Sequence, residues 1–63
     1  MKQITKEALY ERGFMRGRNY FERSLKGGSI EVHGDKMLVY FEDHLVPNCK
    51  TLQDLDNLIY LFK

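Results

Sequence analysis

The sequence contains one cysteine, one proline and no long apolar run. The single cysteine, Cys49, excludes an internal disulfide framework, so we expect a fold that does not depend on an oxidising compartment. The N-terminal residues MKQITKEALYE have no apolar core of signal-peptide length, and no run approaches the ~18 residues of a membrane span. These features predict a cytoplasmic protein without a membrane partner.

The chain is 63 residues long and is expected to form a single domain, 1–63. A fold of this size buries only about 60% of its unfolded surface, so its stability should be modest or shared with a partner.

The net charge of +1 hides an asymmetry between the two halves of the chain. Residues 1–28 carry seven basic and three acidic side chains, and residues 29–63 carry three basic and six acidic ones. Such asymmetry is typical of a polyanion-binding face or of a head-to-tail self-contact, and it also occurs in surfaces with neither role.

The last thirteen residues predict an amphipathic helix. Apolar side chains recur there at the spacing of one helix face, namely Leu52, Leu55, Leu58, Ile59 and Phe62. Thr51 is a natural N-cap, and Asp54 is placed to reach back to the cap amide.

A shorter helix is predicted near the N-terminus. Thr5 can cap its first turn, with Ile4 and Leu9 as a hydrophobic staple. Gly13 can adopt the left-handed conformation that ends helices, and Phe14 after it completes a Schellman-type ending near Arg12.

The middle of the chain predicts an antiparallel meander. Apolar and polar residues alternate on both sides of Gly34 and Asp35, which read as a two-residue hairpin loop. The expected pairs are His33 with Lys36, Val32 with Met37, and Ile30 with Val39. A preceding strand at about residues 19–25 has an open register because Arg23 interrupts the alternation, and a short strand at residues 45–46 should end at Pro47.

These elements predict an α+β fold, in which a three- to four-stranded antiparallel meander is covered on one face by the N- and C-terminal helices. The covered face should carry the apolar residues Ile30, Val32, Met37, Val39 and Phe41. Leu38 and Tyr40 should lie on the uncovered face.

The combination of these features resembles a group of small uncharacterised proteins of bacteriophages and of mobile elements of gut bacteria. The features are a capped helix ending in a Gly-Phe pair (Ile4, Thr5, Lys6 and Glu7 with Gly13 and Phe14), a β-meander between residues 19 and 46, and a final helix beginning TLQDLDNLIY at Thr51. The resemblance implies a phage-type accessory protein and carries no catalytic residue across.

No catalytic, cofactor or metal motif is recognised in the sequence. His33, His44 and Cys49 lack the spacing that gathers metal ligands on a local element, and no oxyanion-hole context surrounds Cys49 as a nucleophile. The adjacent Glu42 and Asp43 should point apart, which makes them a poor acid and base pair. We therefore expect a protein that is not an enzyme and binds no cofactor.

Two classes of function remain. The first is a protein-interaction or self-associating module, for which the candidate interface residues are Leu38, Tyr40, Tyr60 and Leu61. Tyr60 and Leu61 lie outside the apolar stripe of the final helix, so a homodimer would cover them, unless they are simply exposed at a frayed end.

The alternative is a nucleic-acid-binding module. Its candidate contacts are Arg12, Arg16, Arg18, Arg23 and Lys26. Residues 15–18 form the most basic connector, which is either a loop that grips phosphates or an ordinary solvated segment.

Overall fold

The computed structural model describes residues 2–63, which form two helices and a five-stranded sheet. The elements in chain order are α1 (Lys6–Glu11), β1 (Met15–Arg16), β2 (Tyr20–Leu25), β3 (Gly28–His33), β4 (Leu38–Phe41), β5 (His44–Leu45) and α2 (Leu52–Phe62). Neighbouring strands are antiparallel and follow chain order across the sheet. The predicted α+β meander is confirmed, with five strands where three or four were expected.

The first helix begins and ends where the sequence predicts. The Thr5 side-chain oxygen accepts a hydrogen bond from the Ala8 amide at 3.2 Å. At the other end Gly13 has a φ of +81°, and the Phe14 amide donates to the Leu9 carbonyl at 3.0 Å. This is a Schellman ending, which uses the left-handed conformation that glycine adopts at little steric cost.

The connector at residues 15–18 is partly a strand. Its first two residues form β1, which pairs with the start of β2. The Gly17 amide donates to the Tyr20 carbonyl at 2.7 Å and closes this hairpin. A two-residue strand has too little alternation to be recognised from sequence, so the expectation of a connector throughout is wrong for this half of the segment.

Arg23 explains why the alternation of β2 is interrupted. It lies on the same face as Phe21 and Leu25, opposite Ile30 of β3. Its Nη1 donates to the Arg12 carbonyl oxygen at 2.7 Å, at the C-terminal end of α1. A cation is favourable at that position because the carbonyl end of a helix is the negative end of its dipole.

The β3–β4 hairpin forms with a register that differs from the prediction. The observed pairs are Ile30 with Phe41, Val32 with Val39 and His33 with Leu38, in place of Ile30 with Val39, Val32 with Met37 and His33 with Lys36. The turn spans residues 34–37. A displacement of two residues leaves every side chain on its original face, so alternation could not distinguish the two registers. The observed one places the Phe41 ring on Phe62, with centroids 4.2 Å apart, a tertiary contact that no local pattern reveals.

The last strand begins one residue earlier than predicted. It comprises His44–Leu45 and not residues 45–46, because Glu42 and Asp43 alone form the turn. Their φ angles of +49° and +68° are those of the mirror-image two-residue turns that hairpins prefer. The strand therefore ends at Leu45, and Val46 separates it from Pro47, the residue at which the sequence predicts its end.

The second helix is capped reciprocally, as predicted. Thr51 Oγ1 accepts from the Asp54 amide at 3.2 Å, and Asp54 Oδ2 accepts from the amides of Lys50 and Thr51 at 3.0 and 3.1 Å. These hydrogen bonds lower the pKa of Asp54, and the one from the Lys50 amide has the largest effect. At the far end of the helix the Gly27 amide donates to the Phe62 carbonyl at 2.9 Å, which joins α2 to the β2–β3 turn.

The core lies between the helices and one face of the sheet. Its buried side chains are Ile4, Leu9, Phe14, Phe21, Ile30, Val32, Val39, Cys49, Leu55 and Ile59. The predicted arrangement, with both helices on one face and Leu38 and Tyr40 on the other, is therefore confirmed. Met37, predicted in a strand, lies in the turn with a φ of +53° and packs only partly against the core.

Truncation of the core should test this arrangement directly. Leu55→Ala should lower the free energy of unfolding by about 3 kcal/mol and Val39→Ala by about 2 kcal/mol, because both side chains are fully buried and a cavity would remain. Leu61→Ala changes an exposed side chain of α2, the helix that contains Leu55, and should lower the free energy of unfolding by less than about 0.5 kcal/mol. Urea unfolding measures all three, and equal transition midpoints would contradict the packing described.

Candidate interaction surfaces

The face of the sheet that the helices leave uncovered, here called the outer face, receives residues from all five strands. Strand pairing places Met15, Glu22, Glu31, Tyr40 and Leu45 in one row across it, and Tyr20, His33 and Leu38 in the next. Two of the four predicted interface residues, Leu38 and Tyr40, lie on this face.

An ordered aromatic cluster forms the centre of the outer face. The His33 ring stacks on Tyr20 with centroids 5.0 Å apart and meets the Tyr40 ring edge-on at 5.0 Å. His33 Nε2 also lies 2.8 Å from Glu31 Oε1. Side chains held in one arrangement lose little conformational freedom when a partner binds, so this cluster is suited to a contact surface.

The outer face is apolar on its β4–β5 side and acidic in its middle. Leu38 and Leu45 are 45% and 48% exposed and border a groove of about 440 Å³ that extends to Pro47. Glu22 and Glu31, by contrast, lie on β2 and β3. Apart from Met15, which is 73% exposed on the edge strand β1, the exposed large apolar side chains of the face therefore lie on its β4–β5 half.

The edges of the sheet offer little to a partner strand. The two edge strands, β1 and β5, are only two residues long each. Very short edge strands are one way in which proteins avoid pairing with further strands. Contacts through the faces are therefore favoured over contacts through the edges.

The other two predicted interface residues form a separate patch. Tyr60 and Leu61 are 74% and 72% exposed on α2. α2 covers the inner face of the sheet, whereas Leu38 and Tyr40 lie on the outer face. Tyr60 and Leu61 are therefore on the opposite side of the molecule from Leu38 and Tyr40. The four residues therefore do not make one interface.

Arg12, one of the five candidate nucleic-acid contacts, is committed to the fold. Its Nε and Nη2 donate to Asp56 Oδ1 and Oδ2 at 2.6 and 3.1 Å, and its Nη1 donates to the Ala8 carbonyl at 3.1 Å. The hydrogen bonds between the two side chains lower the pKa of Asp56 and raise that of Arg12. This guanidinium holds α1 to α2.

The remaining basic candidates do not form one surface either. Arg23 is hydrogen-bonded to the end of α1. Lys26 lies in the β2–β3 turn, whereas Arg18 precedes the other end of β2, and a six-residue strand is roughly 20 Å long. Only Arg16 and Arg18 are brought together.

Arg16 and Arg18 line a cleft of about 560 Å³, and a third cation, Lys6, joins them there. Lys6 comes from α1, Arg16 from β1 and Arg18 from the loop before β2. Nothing in the local sequence around Lys6 indicates a site, and only the tertiary structure places it beside the two arginines.

The candidate metal ligands and nucleophile lie in separate environments. Cys49 is buried in the core, and burial raises the pKa of its thiol to about 11. His33 lies on the outer face and His44 in β5. Within residues 2–63, no three His, Cys, Asp or Glu side chains are grouped in a way that could hold a metal ion.

No protein-family model, curated protein or solved structure matches this chain. The resemblance to phage and mobile-element proteins therefore stays a prediction. Neither helix in the described part of the chain has the length and apolar character needed to cross a membrane.

The Arg12–Asp56 pair should stabilise the fold in a pH-dependent manner. A double-mutant cycle with Arg12→Met and Asp56→Asn should give a coupling free energy of about 1 kcal/mol at pH 7, as expected for a bidentate and partly exposed pair. Because the pKa of Asp56 is lowered in the fold, this coupling should be complete above its ordinary value near 4 and disappear as the pH falls through the folded value.

Urea unfolding of the four proteins at several pH values measures this coupling. A cycle between Arg18→Met and Asp56→Asn is the control and should give no coupling. A coupling of Arg12 with Asp56 that persists at pH 2 would contradict the assignment.

The Cys49 thiol should react slowly with a thiol reagent in the native protein. A pKa of about 11 instead of 9.0 lowers the thiolate fraction at pH 8 roughly 100-fold, and burial limits access further. The measurement is the rate of reaction with a chromogenic disulfide, compared with the rate for the same protein in denaturant. Equal rates in the two conditions would show that the thiol is accessible and reactive.

Proposed function

We propose that this protein is a non-enzymatic interaction module that associates with a second copy of itself through the β4–β5 half of the outer face. The observation that carries the proposal is the uncovered apolar surface formed by Leu38, Tyr40 and Leu45. The opposite face of the sheet is covered by the two helices.

The molecule is small, so an interface of ordinary size takes up a large share of its surface. A stable interface buries about 800 Å² on each partner, which is about one sixth of the 4743 Å² surface of this chain. Leu38, Tyr40 and Leu45 would form the apolar centre of such an interface, and the surrounding polar side chains of the outer face would form its rim. The patch of Tyr60 and Leu61 comprises only two side chains and is correspondingly small.

The distribution of charge supports a particular arrangement. If the twofold axis runs along β4 between two facing sheets, β4 packs on its own copy, and β3 of each subunit lies over β5 of the other. Glu31 then faces the partner's β5 and not a second Glu31, while Glu22 lies further towards the rim. Such a symmetric contact buries the apolar half of the face and avoids apposed carboxylates.

Nucleic-acid binding, the alternative function, has weaker support. Of its five candidate contacts, Arg12 and Arg23 hold α1 in place, and Lys26 lies far from Arg16 and Arg18. A strand of nucleic acid would need a continuous basic track along its phosphates, and these residues do not provide one.

The remaining parts of the proposal concern the biological setting. We propose an accessory role of phage type and a cytoplasmic location, with no catalytic activity and no cofactor. The high pKa of the buried Cys49 thiol supports the non-catalytic assignment, because a nucleophilic cysteine needs an accessible thiolate.

Sedimentation equilibrium tests the dimer. At about 100 μM the protein should have the mass of a dimer, and Leu38→Glu should weaken association at least tenfold by burying a charge in the apolar contact. Leu61→Glu introduces the same side chain on the opposite side of the molecule and should leave the dimer intact.

Two outcomes would overturn this proposal. A monomer mass at this concentration would exclude self-association, and loss of the dimer only in Leu61→Glu would move the interface to α2. Increasing salt should change the dimer little, whereas a contact based on ion pairs would weaken.

A further inference from the structure

The cleft at one end of the sheet is lined by three cations that form no ion pair within the described residues. Lys6, Arg16 and Arg18 come from three different segments and line one concavity. Within residues 2–63 none of the three takes part in an ion pair, whereas Arg12 pairs with Asp56. Three cations around one concave site raise the local positive potential and attract an anion.

The charge of the cleft limits the anion that it suits. Asp35, in the β3–β4 turn, lines the same cleft, so its three cations and one carboxylate leave a formal charge of +2. A phosphate monoester carries about −1.5 to −2 at pH 7 and has three acceptor oxygens. Guanidinium groups bind such oxygens through two parallel hydrogen bonds.

The cleft has room for a ligand larger than a phosphate ion. Its volume of about 560 Å³ is in the range of sites for small organic molecules. Met37, which is only partly buried, supplies apolar lining beside the cations, and the core residue Val32 lies behind it at the base of the cleft. The ligand should therefore have a compact organic body as well as an anionic group.

The Arg16 guanidinium is positioned by contact with an aromatic ring. The Arg16 guanidinium carbon lies 5.9 Å from the centroid of the Phe21 ring, and Phe21 is itself buried in the core. Contact with a fixed aromatic ring restricts the guanidinium and reduces the entropy lost when it binds an anion.

We propose that this cleft is a binding site for a small organic phosphate monoester. Its cations hold the phosphate and its apolar side holds the organic group. The site is distinct from the β4–β5 half of the outer face, so it does not depend on self-association.

The proposal is tested by titrating the protein with adenosine 5′-monophosphate and following the backbone amides by NMR. Saturable shifts should be centred on Gly17, Arg18, Asn19, Gly34 and Asp35, with a Kd of about 1 mM or lower that weakens as salt is added. Adenosine without phosphate should bind at least tenfold more weakly.

Two substitutions should change the affinity in opposite directions. Arg18→Gln, at an exposed loop position, should weaken binding about tenfold, and Asp35→Asn should tighten it several-fold by removing the carboxylate. Lys26→Gln removes the same charge as Arg18→Gln but at the other end of β2, and it should leave the affinity within about twofold.

Three results would overturn the proposal. The first is the absence of saturable shifts up to 10 mM, roughly ten times the expected Kd. The second is an equal loss of affinity in Lys26→Gln and Arg18→Gln, which would indicate attraction by overall charge alone. The third is tighter binding of a single-stranded oligonucleotide that has no terminal phosphate than of adenosine 5′-monophosphate. That result would favour binding of the phosphodiester backbone instead.

Discussion

The arrangement of helices and sheet depends on a short polar chain through Arg12. Its side chain forms a bidentate pair with Asp56 of α2, and its backbone carbonyl accepts a hydrogen bond from Arg23 of β2. One residue at the end of α1 therefore connects α1 both to the second helix and to the sheet. The apolar core is non-directional, whereas these hydrogen bonds specify the position of a helix only six residues long.

Those features of the fold that depend on neighbouring residues could be predicted from the sequence. The caps at Thr5 and Thr51 and the helix end at Gly13 each need only residues within one or two turns, and all three are observed. The β3–β4 register could not be predicted, because two registers present the same faces and the contact of Phe41 with Phe62 joins distant parts of the chain.

For the candidate surfaces, too, the sequence predicts what depends on nearby residues and not what depends on distant contacts. The exposure of Leu38 and Tyr60 follows from the periodicity of a strand and of a helix, and both were predicted. The positions of the basic side chains are not set by any period, so the sequence alone indicates neither the pairing of Arg12 with Asp56 nor the place of Lys6 beside Arg16 and Arg18. An unpaired cation is recognised only after the internal ion pairs are known.

The two-residue ambiguity in the β3–β4 hairpin has a consequence for changes in chain length. Insertion or deletion of two residues within the turn at residues 34–37 would keep β4 in phase with β3, so that Val39 would still face the core and Leu38 the outside. A change of one residue would exchange the two faces. We therefore expect natural or engineered variation in the length of this turn to occur in even steps, with odd steps retained only where a bulge restores the phase.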